Sequence, residues 1–199
     1  MFVKVLGMSI IGMESHPVSV EVDISDGLPQ FSTVGLPDAS VKESRDRIKA
    51  AIKNSGYRFP RSHVTINLAP ADIKKEGTGF DLPIAVGILA AEELIKEKSL
   101  EDCFFIGELS LDGSIKSVRG VLPAALKAKE LGLKKVFVPG ENAAEAAIVE
   151  GIAVLGVNTL PDVVEFLNNR QVIEPLVIDI STIFQEHRHY DIDFNEIKG

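Results

Sequence analysis

The chain has 199 residues, 45% of them hydrophobic and 25% charged, which is the composition of an ordinary globular protein. Its formal net charge of −8 argues against a generally basic nucleic-acid coat. A lone cysteine, Cys103, excludes an internal disulfide and fits a buried thiol in a reducing compartment. No stretch reaches the roughly 18 apolar residues of a membrane helix, so we expect a cytoplasmic protein without a membrane partner.

The first half of the chain predicts strands with one crossing helix. Residues 16–34 alternate apolar and polar side chains in two stretches around a DG turn signal, which predicts a hairpin. A helix is expected to begin after Asp38 as its N-cap and to stop at Gly56. Residues 63–68 alternate again and predict another strand.

The second half predicts alternating strands and helices with short connections. Predicted helices cover 81–96, 121–131, 141–150 and 160–168. Predicted strands cover the CFFIGELS stretch, 136–139 and 152–157. Such an order indicates parallel strands between helices. The expected fold class is therefore α/β (α+β), with a mixed sheet and β-α-β units.

The end of the chain differs from the rest in composition. From Glu174 onward the sequence becomes polar, and it includes HRHYD at 187–191. We expect a domain over 1–170 and a linker or tail over 171–199, with a short strand at LVIDI.

A glycine-rich stretch, KKEGTGFDLPIA at 74–85, invites comparison with a phosphate loop. A Walker-type loop needs GxxxxGK[ST], whereas Gly79 is followed by Phe80 and Asp81. A carboxylate at the start of a helix caps that helix and repels phosphate, so we expect a tight turn whose Asp81 caps the next helix. Lys74 and Lys75 precede the turn and are kept as possible anion contacts.

A catalytic loop is the other interpretation of this stretch. Thr78 is its one hydroxyl, and a hydroxyl nucleophile needs a base within reach. The four histidines are scattered along the chain, and no partner base is evident. We therefore predict no metal site and no catalytic residue here.

Positive charge is concentrated between residues 38 and 61. This segment contains seven Lys and Arg residues and three Asp and Glu residues, which gives a local net charge of +4. Helical spacing places four of the cations on one stripe that can follow a phosphate backbone, and Tyr57 and Phe59 beside it could stack on bases. A solvated helix face and a contact to an acidic protein surface remain open alternatives. The candidate residues for contact with DNA or an acidic partner are Lys42, Arg45, Lys49, Lys53, Arg58 and Arg61.

Three long segments resemble one known family. They are TVGLPDASVKESRDRIKAAIKNSGYRFP, INLAPADIKKEGTGFDLPIAVGILAA and GELSLDGSIKSVRGVLPAALKAKELGLKKVFVPGENAAEA. Together they resemble the N-terminal domain of the ComM/YifB family, the magnesium-chelatase-like AAA+ ATPases of bacteria. The resemblance implies a fold like the proteolytic domain of Lon, within the superfold of the second domain of small-subunit ribosomal protein five.

The same resemblance implies a protease-like domain without protease chemistry. In Lon-type proteases a Ser and a Lys form the catalytic pair. The Ser position falls at Gly79 and the Lys position near Leu122. Since neither residue can act as nucleophile or base, the resemblance implies a degenerate, non-catalytic site.

Family members continue into an AAA+ module, which the resemblance implies would bind ATP and magnesium. The segment DIDFNEIKG looks like the linker that enters such a module, and GxxxxGK[ST] does not occur in these 199 residues. No cofactor is therefore expected in this chain. The implied partners are its own AAA+ module, neighbouring subunits of a homo-oligomeric ring and, through the link of ComM-type proteins to DNA uptake and branch migration, single-stranded or branched DNA. A structural or partner-docking module without DNA contact is the alternative.

Overall fold

The computed structural model of the protein describes residues 1–12 and 14–178. The strands are β1 (Phe2–Ile11), β2 (Glu14–Ser25), β3 (Gln30–Val34), β4 (His63–Ala69), β5 (Cys103–Phe105), β6 (Glu108–Leu109), β7 (Ile115–Lys116), β8 (Lys135–Pro139) and β9 (Ala153–Val157). The α-helices are α1 (Ala39–Asn54), α2 (Asp81–Ala91), α3 (Val121–Glu130), α4 (Ala143–Ala146) and α5 (Leu160–Leu167).

Seven of the strands form one mixed sheet in the order β3-β4-β2-β1-β5-β8-β9, while β6 and β7 form a small separate hairpin. The pairs β1–β2 and β2–β4 are antiparallel, and the other four pairs of the large sheet are parallel. The α/β class and the parallel strands of the second half are confirmed.

The predicted hairpin over 16–34 is wrong. β2 pairs along its length with β1, from Phe2↔Asp23 to Ile11↔Glu14. On its other side β2 pairs with β4, and β3 lies beyond β4 in parallel to it. The chain turns at the DG sequence, but β3 does not pair with β2. The position beside β2 is occupied by β4, whose Val64, Ile66 and Leu68 are buried.

Helix starts agree with the sequence better than helix ends. The carboxylate of Asp38 accepts a hydrogen bond from the Val41 amide at 2.9 Å, which confirms it as the N-cap of α1, and Gly56 ends that helix with φ of +86°. α2 stops at Ala91 rather than 96 because Glu93 adopts a left-handed φ of +59°. α4 is only one turn long, because residues Gly140–Asn142 form a 3-10 turn before it and the helix ends at Ala146 rather than 150.

Helices cover both faces of the sheet. α1, α2 and α5 pack in one core with Val5 and Phe105, and α3 and α4 pack in the other with Met8 and Phe104. α2 is buried over its whole length because it lies between the sheet and α1. Within the described part of the chain, none of the helices has the length and apolarity to cross a membrane.

Gly87 marks the closest approach of α2 to the sheet. A Cβ atom there would lie 2.6 Å from Cγ2 of Val22 and 3.4 Å from Cγ2 of Val5. Both valines are buried, so the collision cannot be relieved towards solvent.

We therefore expect Gly87→Ala to lower the free energy of unfolding by about 1–3 kcal/mol through overpacking. Helix propensity alone would raise it by about 1 kcal/mol. Urea denaturation measures the difference. In a Val22→Ala background the same substitution should cost less, and a rise in the wild-type midpoint would contradict the packing argument.

Candidate nucleic-acid interface

A cleft of about 680 Å³ opens between α1, the start of β3 and the segment 57–62. Five of the six predicted contact residues line it, namely Arg45, Lys49, Lys53, Arg58 and Arg61. Lys42 is exposed on the same helix but lies outside the cleft. Three aromatic residues, Phe31, Tyr57 and Phe59, also line it, and we refer to these five cations and three aromatic residues as the basic groove.

The local sequence explains why the cations gather there. α1 turns its buried side chains, among them Val41, Ile48 and Ile52, towards the core. Helical periodicity then directs Lys49 and Lys53 away from that face, and both are exposed. Arg45 precedes them on the same helix, and the segment that follows the helix adds Arg58 and Arg61.

The aromatic rings form part of the wall between the cations. Phe31, Tyr57 and Phe59 are half-buried and pack against the core on one side. The rings of Phe31 and Phe59 are stacked, with centroids 6.4 Å apart and planes at 30°. The Lys49 ammonium lies 6.0 Å from the centroid of Phe59.

Phe31 was not among the sequence candidates. It lies on β3, outside the basic region, and reaches the groove only because β3 pairs with β4 at the edge of the sheet. The alternation of the strand places Phe31 on one face but does not indicate which helix covers that face.

Arg47, inside the same basic region, points the other way. Its Nε donates to Oδ2 of Asp81 at 2.9 Å and its Nη2 donates to Oδ1 at 3.2 Å. The Asp81 side chain is only 1% exposed. It also accepts a hydrogen bond from the Leu109 amide at 3.2 Å, so one carboxylate joins α1, α2 and the β6–β7 hairpin.

The prediction that Asp81 caps its own helix is therefore wrong. Phe80 occupies the N-cap position and makes no side-chain cap, while Asp81 is the first residue of α2. Burial raises the pKa of Asp81 to about 6, against the lowering effect of the hydrogen bonds and charge of Arg47. The hydrogen bond to Asp81 raises the pKa of Arg47, and the two-point contact keeps the pair ionised at neutral pH.

The glycine loop borders a second cavity, also of about 680 Å³, which we call the loop cavity. Its lining includes Gly79 and Thr78, whose hydroxyl donates a hydrogen bond to Glu108. The carboxylate of Asp38 accepts a hydrogen bond from the Gly77 amide at 3.3 Å. The charged residues around the loop cavity are Asp38, Glu76, Glu108 and Arg119, so acids predominate and a phosphate is disfavoured.

The two lysines before the loop do not line this cavity. Lys74 is exposed and forms an ion pair with Glu76 at 2.6 Å. Lys75 is fully buried and donates to the carbonyl of Pro70. Burial lowers the pKa of Lys75, and its amine is closed to an anion from solvent, contrary to expectation. The anion contact at Lys74 stays a prediction.

The structure also places the two positions that the protease resemblance identified. A Cβ atom at Gly79 would lie 3.1 Å from Cγ1 of Ile106. Leu122 packs against the core on the α3 side, and its amide donates to Glu145 at 2.9 Å. Gly79 lines the loop cavity and Leu122 does not, so the two positions do not share one open site. No cluster of three or more His, Cys, Asp or Glu that could hold a metal occurs in residues 1–12 and 14–178.

Comparison with known proteins identifies the family. A profile described as "Subunit ChlI of Mg-chelatase" matches residues 20–142. The chain is 43% identical over 173 residues to the uncharacterized protein YifB of Salmonella typhimurium, an alignment that covers 86% of this chain and 34% of YifB. It is 41% identical over 170 residues to the competence protein ComM of Haemophilus influenzae, covering 85% of this chain and 33% of ComM.

A more distant similarity links the chain to Lon protease 2 of Bacillus subtilis, with 28% identity over 148 residues, or 70% of this chain and 26% of the protease. The chain belongs to the Mg-chelatase subunit ChlI family, and its resemblance to ComM and YifB is confirmed. It spans about a third of the length of these two relatives.

Removal of the Arg47 side chain tests the importance of its ion pair with the buried Asp81. We expect Arg47→Met to lower the free energy of unfolding by about 3 kcal/mol at pH 8, because it leaves a buried carboxylate without its cation. The folded-state pKa of Asp81, about 6, lies above the ordinary 3.8. The stability that Asp81 contributes in its protonated form is therefore fully present below pH 3.8 and is lost as the pH rises through 6. Loss of Arg47 makes this decline in stability larger.

Urea denaturation at pH 5 and pH 8 measures both effects. Arg47→Met with Asp81→Asn should recover most of the lost stability, because the buried charge is then absent. Lys53→Met, which removes an exposed cation from the same helix, is the matched control and should change little. Equal losses for the Arg47 and Lys53 variants would contradict the role of the pair.

Proposed function

We propose that this chain is the non-catalytic N-terminal module of a magnesium-chelatase-like AAA+ ATPase of the ComM type, and that it contacts DNA through the basic groove. The observation that carries the proposal is the groove itself. It gathers five cations in a chain whose net charge is −8. No acidic side chain lines it among the described residues.

The spacing of the cations supports a contact with a phosphate backbone. Arg45, Lys49 and Lys53 follow each other at four-residue intervals along α1. Four residues of helix advance about 6 Å, so the row is regularly spaced along an extended polyanion. Arg45 is paired with the exposed Asp46 at 3.2 Å, whereas Lys49 and Lys53 are exposed. A lysine or arginine row of this kind releases counterions on binding and favours nucleic acid of any sequence.

The remainder of the proposal concerns the whole protein. A module over 1–170 with a Lon-protease-like fold would be followed by a linker over 171–199, of which residues 179–199 lie outside the described structure. An AAA+ module would then bind and hydrolyse ATP with magnesium and drive branch migration in the cytoplasm as a homo-oligomeric ring. The similarity to ComM and to Lon protease 2 supports this assignment.

A structural or docking module for ring assembly is the second candidate. The observation that favours it is the position of β3, which forms one edge of the sheet. An edge strand can accept a strand from a partner or a neighbouring subunit. In this case the groove cations would contact an acidic protein surface, and DNA would be held elsewhere.

Fluorescence anisotropy with labelled single-stranded and forked DNA across a salt series distinguishes these functions. We expect affinity to fall steeply with salt and to drop at least tenfold in Lys49→Glu/Lys53→Glu, because two phosphate contacts become repulsive. The dependence of log affinity on log salt should weaken by about one for each lost contact.

The matched control is Lys98→Glu/Lys129→Glu, which changes the net charge equally at two exposed lysines outside the groove. It should retain most of the affinity. Equal losses in both double variants would indicate only a response to net charge. Absence of binding at low salt would contradict a DNA contact by this chain and favour docking.

The non-catalytic assignment has its own test. We expect no release of dye from labelled casein, because Gly79 offers no nucleophile and Leu122 no base. Gly79→Ser should not create activity, since its Cβ would crowd Ile106 at 3.1 Å while the Lys position stays apolar. Hydrolysis by the unaltered chain that disappears in Thr78→Val would overturn the assignment and identify Thr78 as the nucleophile.

A further inference from the structure

We infer that the basic groove holds single-stranded nucleic acid with a base stacked on the Phe31–Phe59 ring pair, rather than a duplex held by its backbone alone. This inference rests on the proposed function and names the form of nucleic acid that the groove accepts. It assigns a contact role to Phe31, which lies outside the basic region of the sequence.

The first argument is the position of the rings. Phe31 and Phe59 both line the groove while packing on the core with their other sides. Their centroids are 6.4 Å apart and their planes differ by 30°. A half-buried aromatic pair of this kind, packed on the core and lining a cleft, offers a stacking surface to an unpaired base.

The second argument is the distribution of charge around the rings. The Lys49 ammonium lies 6.0 Å from the Phe59 centroid, so one cation borders this stacking surface directly. Arg58 adjoins Phe59 in the chain, and Arg61 follows two residues later. A strand whose phosphates follow these cations therefore passes within reach of the rings with its bases free to turn inward.

The third argument separates a single strand from a duplex. Paired bases are stacked on one another and expose only their edges in the grooves. A duplex on this surface would meet the cations with its phosphates but leave Phe31 and Phe59 unused. An unpaired strand uses both kinds of residue, and the cleft of about 680 Å³ lies in the size range of pockets that enclose small organic groups such as a base.

An abasic strand provides the direct test, because it keeps every phosphate and removes every base. The probes are labelled oligothymidylate of about 15 nucleotides, an abasic strand of equal length and a duplex of equal length. Using the 199-residue chain, we expect oligothymidylate to bind about tenfold more tightly than the abasic strand, the ratio that one stacked base supplies.

Two substitutions assign that ratio to the rings. Phe59→Ala and Phe31→Ala should each bring oligothymidylate close to the abasic strand, whereas Phe59→Tyr keeps a ring and should retain the preference. Unchanged affinity for the abasic strand shows that the alanine variants keep their fold and their cations. Because the chain has no tryptophan, Phe59→Trp adds a specific reporter whose fluorescence should be quenched by oligothymidylate and not by the abasic strand.

The outcomes separate this inference from the proposed function. Equal binding of the intact and abasic strands, with no effect of the phenylalanine substitutions, would overturn the inference and leave the DNA contact standing. Tighter binding of the duplex than of oligothymidylate would overturn it as well. Failure of all three probes to bind at low salt would overturn both.

Discussion

The ion pair between the half-buried Arg47 and the buried Asp81 is the interaction on which the arrangement of the domain depends. It fastens α1 over α2, and through the Leu109 amide it reaches the β6–β7 hairpin as well. A buried charge without its partner is costly, so the pair disfavours any arrangement of these three elements that separates Arg47 from Asp81. The outward face of α1, which forms one wall of the basic groove, is oriented by the same contact.

α1 therefore has two different electrostatic roles on its two sides. Arg47 faces inward and satisfies a carboxylate that burial would otherwise favour in its protonated form. Lys49 and Lys53 face outward, and no acid shares the groove lining with them among the described residues. In the sequence, the seven cations of 38–61 appear as one cluster. Which of them face the core and which face solvent depends on the rotation of α1 relative to the core.

The sequence predicted the features that depend on short spacing, such as the Asp38 cap, the cation stripe and the parallel strands of the second half. It failed where residues distant in the chain meet. β4 lies between β2 and β3 in the sheet, and Arg47 contacts Asp81, which is 34 positions away in the chain. Neither contact can be predicted from the local sequence pattern. Phe31 was missed for the same reason, because its place in the groove follows from the pairing of β3 with β4.

Two cavities of the domain, the loop cavity and the basic groove, carry opposite charge on one scaffold. Acids predominate at the loop cavity, whereas cations line the groove, so a polyanion is repelled from the first and attracted to the second. At physiological salt the Debye length is about 8 Å, so the net charge of −8 does not cancel the groove at contact range. Association with a polyanion then depends on the local charges of the groove, which α1 and the segment after it supply. The Phe31–Phe59 pair between these charges favours an unpaired nucleic-acid strand over a duplex.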